Sequence, residues 1–507
     1  MLDSLPMCSS AFTFRWITIL LWFIPTAGLW AAPSGPNIIL IIADDLGPQL
    51  GSYGDPNAKT PNIDRLAAEG TRFDRGYVTT ASCSPSRGSI FTGLYPHQHG
   101  MMGLSHFGTE RMHDHVPILP NELKKLGYRT AIVGKTHMQP EELFDWNMRV
   151  TDSRHVIAER DVLWMNGQAM KFVDETPSDA AFFLVMSYVD PHRGNSDQGS
   201  SYGAGRNKKF PRKKRGLPEN PTSGSEIVPF AFLGLDSPEI REELADYYGA
   251  VERLDIGVGD LRKRLERRAL WRGSLVLFVG DHGPDVTRGK MSIYESATRV
   301  PFLLRVPGGR PGVVRDELVS TVDILPTLLD VAGDDELEQH QGRSLLPLTI
   351  PGAAPRWRHH LFTEYITHVP WQFYPRYAIR DEHFKLILNL KGGDWENPLN
   401  PTNYCNAWWE SRKEHYEMMP IRQVYDRVEF PPKLELFDLE NDPYEWNNLA
   451  SKPEYSAKVD ELLLAIREWR TATKDPLLEA SEFSRQITKG MDAKIEWQQR
   501  RQSGKKP

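Results

Sequence analysis

Asn37-Ile38-Ile39-Leu40-Ile41-Ile42-Ala43, running straight into Asp44-Asp45, carries the first decision about the fold. A strand with one wet face would show a polar residue at every second position. This run shows none and is rich in β-branched side chains, which predicts a strand buried on both faces, as in parallel sheets. It stops at two adjacent carboxylates. Like charges repel, and a buried pair is costly without a cation beside it. A hard divalent ion is the simplest reason for such a pair; a solvated loop or a helix cap is the plain alternative.

Three further runs follow the same grammar. Thr130-Ala131-Ile132-Val133-Gly134 ends in Lys135-Thr136-His137. Ala181 to Val189 ends in Asp190-Pro191-His192-Arg193. Ser274 to Gly280 ends in Asp281-His282-Gly283. In an open α/β sheet, ligands sit beyond the carboxyl ends of the strands, so four polar endings of complementary charge predict one shared site. The intervening segments are long enough for crossover helices. Pro238 to Leu270, with Leu244, Val251, Leu254 and Leu261 at helical spacing, is the longest. Thr60-Pro61 to Gly70 and Asn121 to Gly127 predict shorter ones. The fold class expected is α/β, a large mixed, mostly parallel sheet sandwiched by helices.

Cys83-Ser84-Pro85-Ser86-Arg87-Gly88-Ser89-Ile90-Phe91-Thr92-Gly93 lies between the first two of these strands. Pro85 suits the first turn of a helix running on to Leu94. Cys83 then sits just ahead of a helix N-terminus, where unpaired N–H groups favour an anion, and Arg87 can reach back toward it. Taken alone, the same cysteine reads equally well as a small buried thiol.

Cys83-x-Pro85-Ser86-Arg87 with Thr92-Gly93 resembles the signature of the type I sulfatases. That resemblance implies an alkaline-phosphatase-like sulfatase fold and conversion of Cys83 to formylglycine, whose hydrated form provides the attacking oxygen. It implies one Ca²⁺ held by Asp44, Asp45, position 83, Asp281 and His282. Arg87, Lys135 and Lys290 would surround a sulfate, with Arg288 a weaker candidate than Lys290. His137 would take a proton as sulfate is released, and His192 would protonate the leaving amine or alcohol. For each histidine alone, a structural imidazole is the simpler reading. His97-Gln98-His99-Gly100-Met101, Asp190-Pro191-His192-Arg193, Gly342 to Pro347 and His383-Phe384-Lys385-Leu386 look like the heparan sulfamidase branch, the N-sulfoglucosamine sulfohydrolases. His282 departs from that branch, which carries asparagine there; several other sulfatases carry histidine.

The chain of 507 residues, 25% charged with a net charge of -6, offers nothing for a nucleic-acid binder and exceeds one minimal domain. Residues 1–32 read as a signal peptide: Arg15 precedes an apolar run from Trp16 to Trp30, and Ala31-Ala32 supplies small residues for cleavage. An uncleaved anchor is the weaker alternative. Residues 33–375 form the expected catalytic domain and 376–483 an antiparallel-sheet subdomain. That subdomain is built on Tyr377–Arg380, Phe384–Asn389 and Leu434–Asp438 and closed by a helix from Ala457 to Trp469. Residues 484–507 read as a loose basic tail. Val319 to Ala332 reads as a packing helix. Trp395 to Arg427 reads as packing, with a pocket wall as the second option.

Cys8 leaves with the signal, so Cys83 and Cys405 remain; a bridge between them is open on counting but would consume the nucleophile. No Asn-x-Ser/Thr site is usable, since Asn220 and Asn400 precede proline. An exported bacterial protein, periplasmic or secreted, fits better than a lysosomal one. The basic stretch from Arg206 to Arg215, opened by Arg193, is either a docking patch for a polyanion or a solvated charge run. The function expected is a sulfohydrolase for sulfated saccharides, N-sulfated glucosamine first. An O-sulfatase, a phospho- or phosphonohydrolase, or a non-catalytic polyanion binder stand as alternatives. A formylglycine-generating or other maturing enzyme is an implied partner, and a homodimer is left open.

Overall fold

The four long apolar runs lie side by side. A computed structural model describes residues 35–105, 110–193, 222–334, 337–393, 397 and 406–502. The strands, in chain order, begin with β1 (Ile38–Asp44), β2 (Thr71–Phe73), β3 (Gly76–Tyr77), β4 (Arg129–Gly134), β5 (Met148–Val150), β6 (Phe182–Pro191) and β7 (Leu275–Gly280). They continue with β8 (Phe302–Arg305), β9 (Val313–Arg315), β10 (Val319–Ser320), β11 (Leu361–Tyr365), β12 (Arg376–Arg380), β13 (Phe384–Asn389) and β14 (Leu434–Asp438). The large sheet has the order β5-β4-β6-β1-β7-β8-β2-β9, so the four runs are consecutive neighbours. They are mutually parallel, and β8 alone runs against its neighbours. Ala43 pairs with Tyr188 on one side and Gly280 on the other, which brings the carboxyl ends level.

Successive side chains of β1 point to opposite faces, and each face has its own core. Ile39, Ile41 and Ala43 pack with the helices Pro61–Glu69, Val162–Asp174 and Pro238–Glu266. Ile38, Leu40 and Ile42 pack with Cys83–Thr92, Leu119–Lys125 and Ile324–Val331. Each fully buried isoleucine contributes about 1.5–3 kcal/mol relative to exposure, which is why the run tolerates no polar residue. Gly134 closes β4 at φ +122, where a Cβ would meet the Ser187 carbonyl at 1.9 Å, so only glycine lets the chain turn there.

The second sheet, β11-β12-β13-β14, is antiparallel throughout. Ile379, Leu386 and Leu436 cover the helix Ser456–Ala472 through Leu462, Ile466 and Trp469. The boundary expected at 375/376 falls inside this sheet, between β11 and β12. The Val319–Ala332 segment is helical from Thr321, as a 3-10 turn over Thr321–Asp323 and an α-helix over Ile324–Val331, because Val319 and Ser320 pair with Gly76 and Tyr77. Residues 406–429 form two short helices in which Trp408 packs against Tyr425, a packing role.

The tail expected to be loose runs instead as a helix, Ala480–Gln502. Gln486 is buried, Gly490 lies against the Pro370 carbonyl, and Lys489 Nζ reaches Glu110 at 2.7 Å. Its charged residues therefore mark a half-solvated helix face, which composition cannot tell from a disordered tail. No described helix is long and apolar enough to cross a membrane. The signal segment, Cys405 and the 206–215 stretch lie outside the described residues.

Candidate active site

The helix Cys83–Thr92 begins two residues earlier than Pro85 implied, with Ser82 as its extended N-cap, and Gly93 ends it at φ +67. All ten of its residues are buried. Cys83 is a free thiol at the first helical position. Its Sγ lies 3.3 Å from His282 Nε2. Leu104, Val369 and Trp371 pack around it.

The carboxylates arrive from two strand ends. Asp44 closes β1; Asp45 follows with φ +65, a left-handed conformation that aspartate tolerates better than most residues. The Asp45 N–H donates to Asp281 Oδ1 at 3.0 Å, locking the end of β1 to the end of β7. His282 Nε2 stands 3.5 Å from Asp45 Oδ1 and 3.7 Å from Asp281 Oδ1. His282 Nδ1 is 3.0 Å from the Gly283 carbonyl, which can only accept, so Nδ1 carries a hydrogen and Nε2 faces the cluster, where it offers a lone pair once a cation displaces its proton. Asp44 Oδ1 and Asp45 Oδ2 are buried without a hydrogen-bond partner. Buried carboxylate oxygens without a partner, beside an imidazole nitrogen, are the kind of donors a divalent cation takes. One ligand atom each from Asp44, Cys83, Asp281 and His282 fall within 4.8 Å of one another.

Each expected cation takes up a post around this cluster. Lys135 Nζ lies 2.6 Å from Asp44 Oδ2, and Lys290 Nζ 2.8 Å from Asp45 Oδ1. Arg87 Nε donates to Asp281 Oδ2 at 3.0 Å, and its Nη1 donates to the Lys135 carbonyl at 3.0 Å and Ser187 Oγ at 2.6 Å. Arg87 is thus a brace between three strand ends as much as an anion donor. Arg288 is packed away: it donates to the carbonyls of Phe232, Tyr444 and Glu445 and lies over the Tyr294 ring. Of the two, only Lys290 faces the carboxylates, framed by Arg288 and Met291 at φ +68 and +66.

The electrostatics follow from burial in this crowd. Burial alone would raise the Asp44 carboxyl, but Lys135, His192 and Arg87 hold it well below the usual range. Burial, only partly offset by Lys290, pushes Asp45 up to about 7. Burial and the Asp44 charge push Asp281 up to about 6. Burial would also raise the Cys83 thiol, yet Lys135 and Lys290 outweigh it and lower it to about 5. Against burial, Asp281 and Cys83 raise His282 to about 9. Two carboxylates drawn toward protonation mark a site short of positive charge at its centre.

His192 lies within the same cluster, one ring nitrogen falling within 4.8 Å of Asp45 and Cys83 ligand atoms. His137, at φ +57, is half-buried near Lys135, Arg87 and Asp44. Burial and those cations keep His137 well below the usual imidazole range; burial and Lys290 do the same for His192. Arg193, expected at the opening of the basic stretch, is itself turned inward. It is buried, ion-paired with Glu243, and donates to the Asp285 carbonyl at 2.8 Å. Three serines brace these groups, and two of them, Ser187 and Ser82, carry no motif signal. Ser187 Oγ donates to the Lys135 carbonyl at 2.6 Å, Ser86 Oγ to the Asp281 carbonyl at 2.5 Å, and Ser82 Oγ is 2.9 Å from His368 Nδ1.

The chain belongs to the sulfatase family: the profile described as Sulfatase matches residues 36–334. A second, described as N-sulphoglucosamine sulphohydrolase, C-terminal, matches residues 283–398. Human N-sulphoglucosamine sulphohydrolase is 30% identical over 87% of this chain and 91% of its own length. An ulvan-active sulfatase of Formosa agariphila is 26% identical over 88% of this chain and 82% of its own. A solved structure of a protein with its substrate D-glucosamine-2-N,6-O-disulfate matches with TM-score 0.65 at 21% identity, over 87% of this chain and 98% of that one. The fold is the alkaline-phosphatase-like sulfatase fold, and the chain is a sulfamidase-like hydrolase of the sulfatase class.

Proposed function

We propose that this chain is an exported, calcium- and formylglycine-dependent sulfohydrolase that removes N-linked sulfate from glucosamine in heparin- or heparan-type saccharides. The observation that carries the reading is the meeting of Cys83, three carboxylates and His282 with Lys135 and Lys290 at the carboxyl ends of adjacent strands. Asp44, Asp45, Asp281, His282 and position 83 would hold the ion, and the orphaned oxygens of Asp44 and Asp45 fit it. When present, the ion neutralises developing charge and the hydrated aldehyde derived from Cys83 supplies the attacking oxygen.

The chain's own residues do the rest. Lys135 and Lys290 bind and orient the tetrahedral anion, and Arg87 keeps Asp281 and the Lys135 backbone in register. His192 is hydrogen-bonded from Nδ1 to the Arg193 carbonyl at 2.6 Å, which leaves Nε2 for the site; once the bound sulfate anion favours the charged ring, the imidazolium gives its Nε2 proton to the departing nitrogen or oxygen. His137 accepts a proton as sulfate departs. The amine substrate is supported by the C-terminal profile match and by the human relative. An O-sulfatase acting on another sulfated polysaccharide is the second reading, favoured by His282 and by the ulvan-active relative. Maturation by a formylglycine-generating or other converting enzyme belongs to this proposal, as does the periplasmic or secreted address.

A desulfation assay on glucosamine N-sulfate beside glucosamine 6-O-sulfate decides between the two readings. Preferred release from the N-sulfate is expected; preferred release from the O-sulfate overturns the amine assignment, and no release from either overturns the class of substrate. Peptide mass spectrometry across Cys83 reads the modification directly.

A further inference from the structure

Asp190, next to last in β6, is a buried carboxylate gripped by two guanidinium groups that the chemistry above does not use. Arg253, fully buried on the helix Pro238–Glu266, donates from Nε to Asp190 Oδ2 at 2.5 Å and from Nη2 to Oδ1. Arg160, also buried, donates from Nη1 to Asp190 Oδ1 at 3.0 Å. The same nitrogen of Arg160 donates to the backbone carbonyl of His192. Arg160 holds this reach from a left-handed backbone at φ +48, and the next residue, Asp161, caps the helix Val162–Asp174 by accepting from the Trp164 N–H. Neither arginine is close to a motif, and the sequence singles out neither.

Two buried cations exceed what one carboxylate needs, and a buried guanidinium is expensive unless its donors are used. Arg160 Nη1 turns part of that surplus onto the carbonyl of the residue whose imidazole faces the site. His192 is held at three further points. Its N–H donates to the Val189 carbonyl at 2.9 Å, its Nδ1 donates to the Arg193 carbonyl at 2.6 Å, and Arg193 is itself ion-paired with Glu243. The ring nitrogen left over is Nε2.

We propose that Arg160, backed by Arg253 through Asp190, is a positioning residue that fixes the backbone of His192 so that Nε2 meets the leaving group. This rests on the reading of His192 as the proton donor. Proton delivery matters most for poor leaving groups and little for an activated aryl alcohol, so mispositioning has a signature that general destabilisation lacks.

The test compares Arg160→Lys and Arg160→Gln with the wild type on a series running from 4-nitrophenyl sulfate through alkyl sulfates to glucosamine N-sulfate. Loss of kcat/KM by about 10- to 100-fold is expected at the amine and alkyl end, with less than about threefold at the nitrophenyl end and little change in KM. Equal losses along the series, or no loss, overturn the proposal. If the glutamine variant does not fold, the lysine variant decides by the same criterion; a lysine variant that also shows no cooperative melt marks Arg160 as a stability residue and overturns it too. A wild type inert on every member refutes the sulfohydrolase reading instead, so the two failures are distinguishable.

Discussion

Arg380 on β12 donates from Nη1 to Glu295 Oε2 at 2.8 Å, tying the antiparallel sheet to the turn that follows the Lys290 loop. Glu295 Oε1 also takes Lys385 Nζ at 3.1 Å, and Lys385 reaches Glu445 at 2.9 Å. A buried ionic knot of this kind holds two elements in a fixed relation, and removing one member leaves charge uncompensated.

Burial alone would raise Glu295, but Arg380 and Lys385 lower it from 4.5 to about 2. A carboxylate depressed by folding stabilises fully above its unfolded value and loses that contribution as pH falls from 4.5 toward 2. Glu295→Gln is therefore expected to be about 3–5 kcal/mol less stable near neutrality. The gap should close below pH 4.5, as read from urea unfolding across pH. A gap independent of pH contradicts the ion-pair origin.

Cys83→Ala is expected to fold with an unchanged far-ultraviolet spectrum while kcat drops about 10³-fold or more, since removing a nucleophile leaves only binding and electrostatic assistance. Activity within tenfold of wild type rules out position 83 as the source of the attacking oxygen.

Lys290→Ala and Lys135→Ala each remove a cation from the anion's surroundings, and each should lower kcat/KM by about 10²- to 10³-fold. Lys135→Ala should also differ from Arg288→Ala in retention of the proposed ion. Asp44 is held ionised chiefly by Lys135, so Lys135→Ala weakens the ion's site more than Arg288→Ala does. Metal content after gel filtration checks this; equal retention argues that Lys135 serves the substrate alone.

Dialysis against a calcium chelator should abolish turnover and lower the melting temperature, with Ca²⁺ restoring both. An ion present at 100 times its dissociation constant stabilises by about 2.7 kcal/mol, ample to see in a melt. Full activity and an unmoved melt after chelation contradict an ion at Asp44, Asp45, Asp281 and His282.

Much of the site can be read from the chain because the strands that build it are buried on both faces. Ile38 to Ala43, Ala131 to Val133, Phe182 to Met186 and Leu275 to Val279 hold no polar side chain, so the charged residues after them stand out. Thr71–Phe73 and Val313–Arg315 give no such signal: strands of three residues with arginines in them look like loops. Leu361–Tyr365 is equally quiet, because its alternation is broken by Glu364, which faces inward to His97 at 2.7 Å. Arg193 looked like a surface charge since nothing in a sequence announces Glu243, fifty residues on, as its partner. Ser187, Arg160 and Arg253 are invisible for the same reason. Their value lies in what they touch across the fold, and side-chain type alone does not carry it.

The helix that begins at Cys83 has no exposed face, and that sets an order of events. A second protein's active site cannot close around a thiol walled in by Leu104, Val369 and Trp371 beneath a completed sheet. If position 83 is converted, the converting catalyst must meet it on an open chain, during or just after synthesis. A molecule that folds first is locked into its thiol form, and only unfolding gives it a second chance.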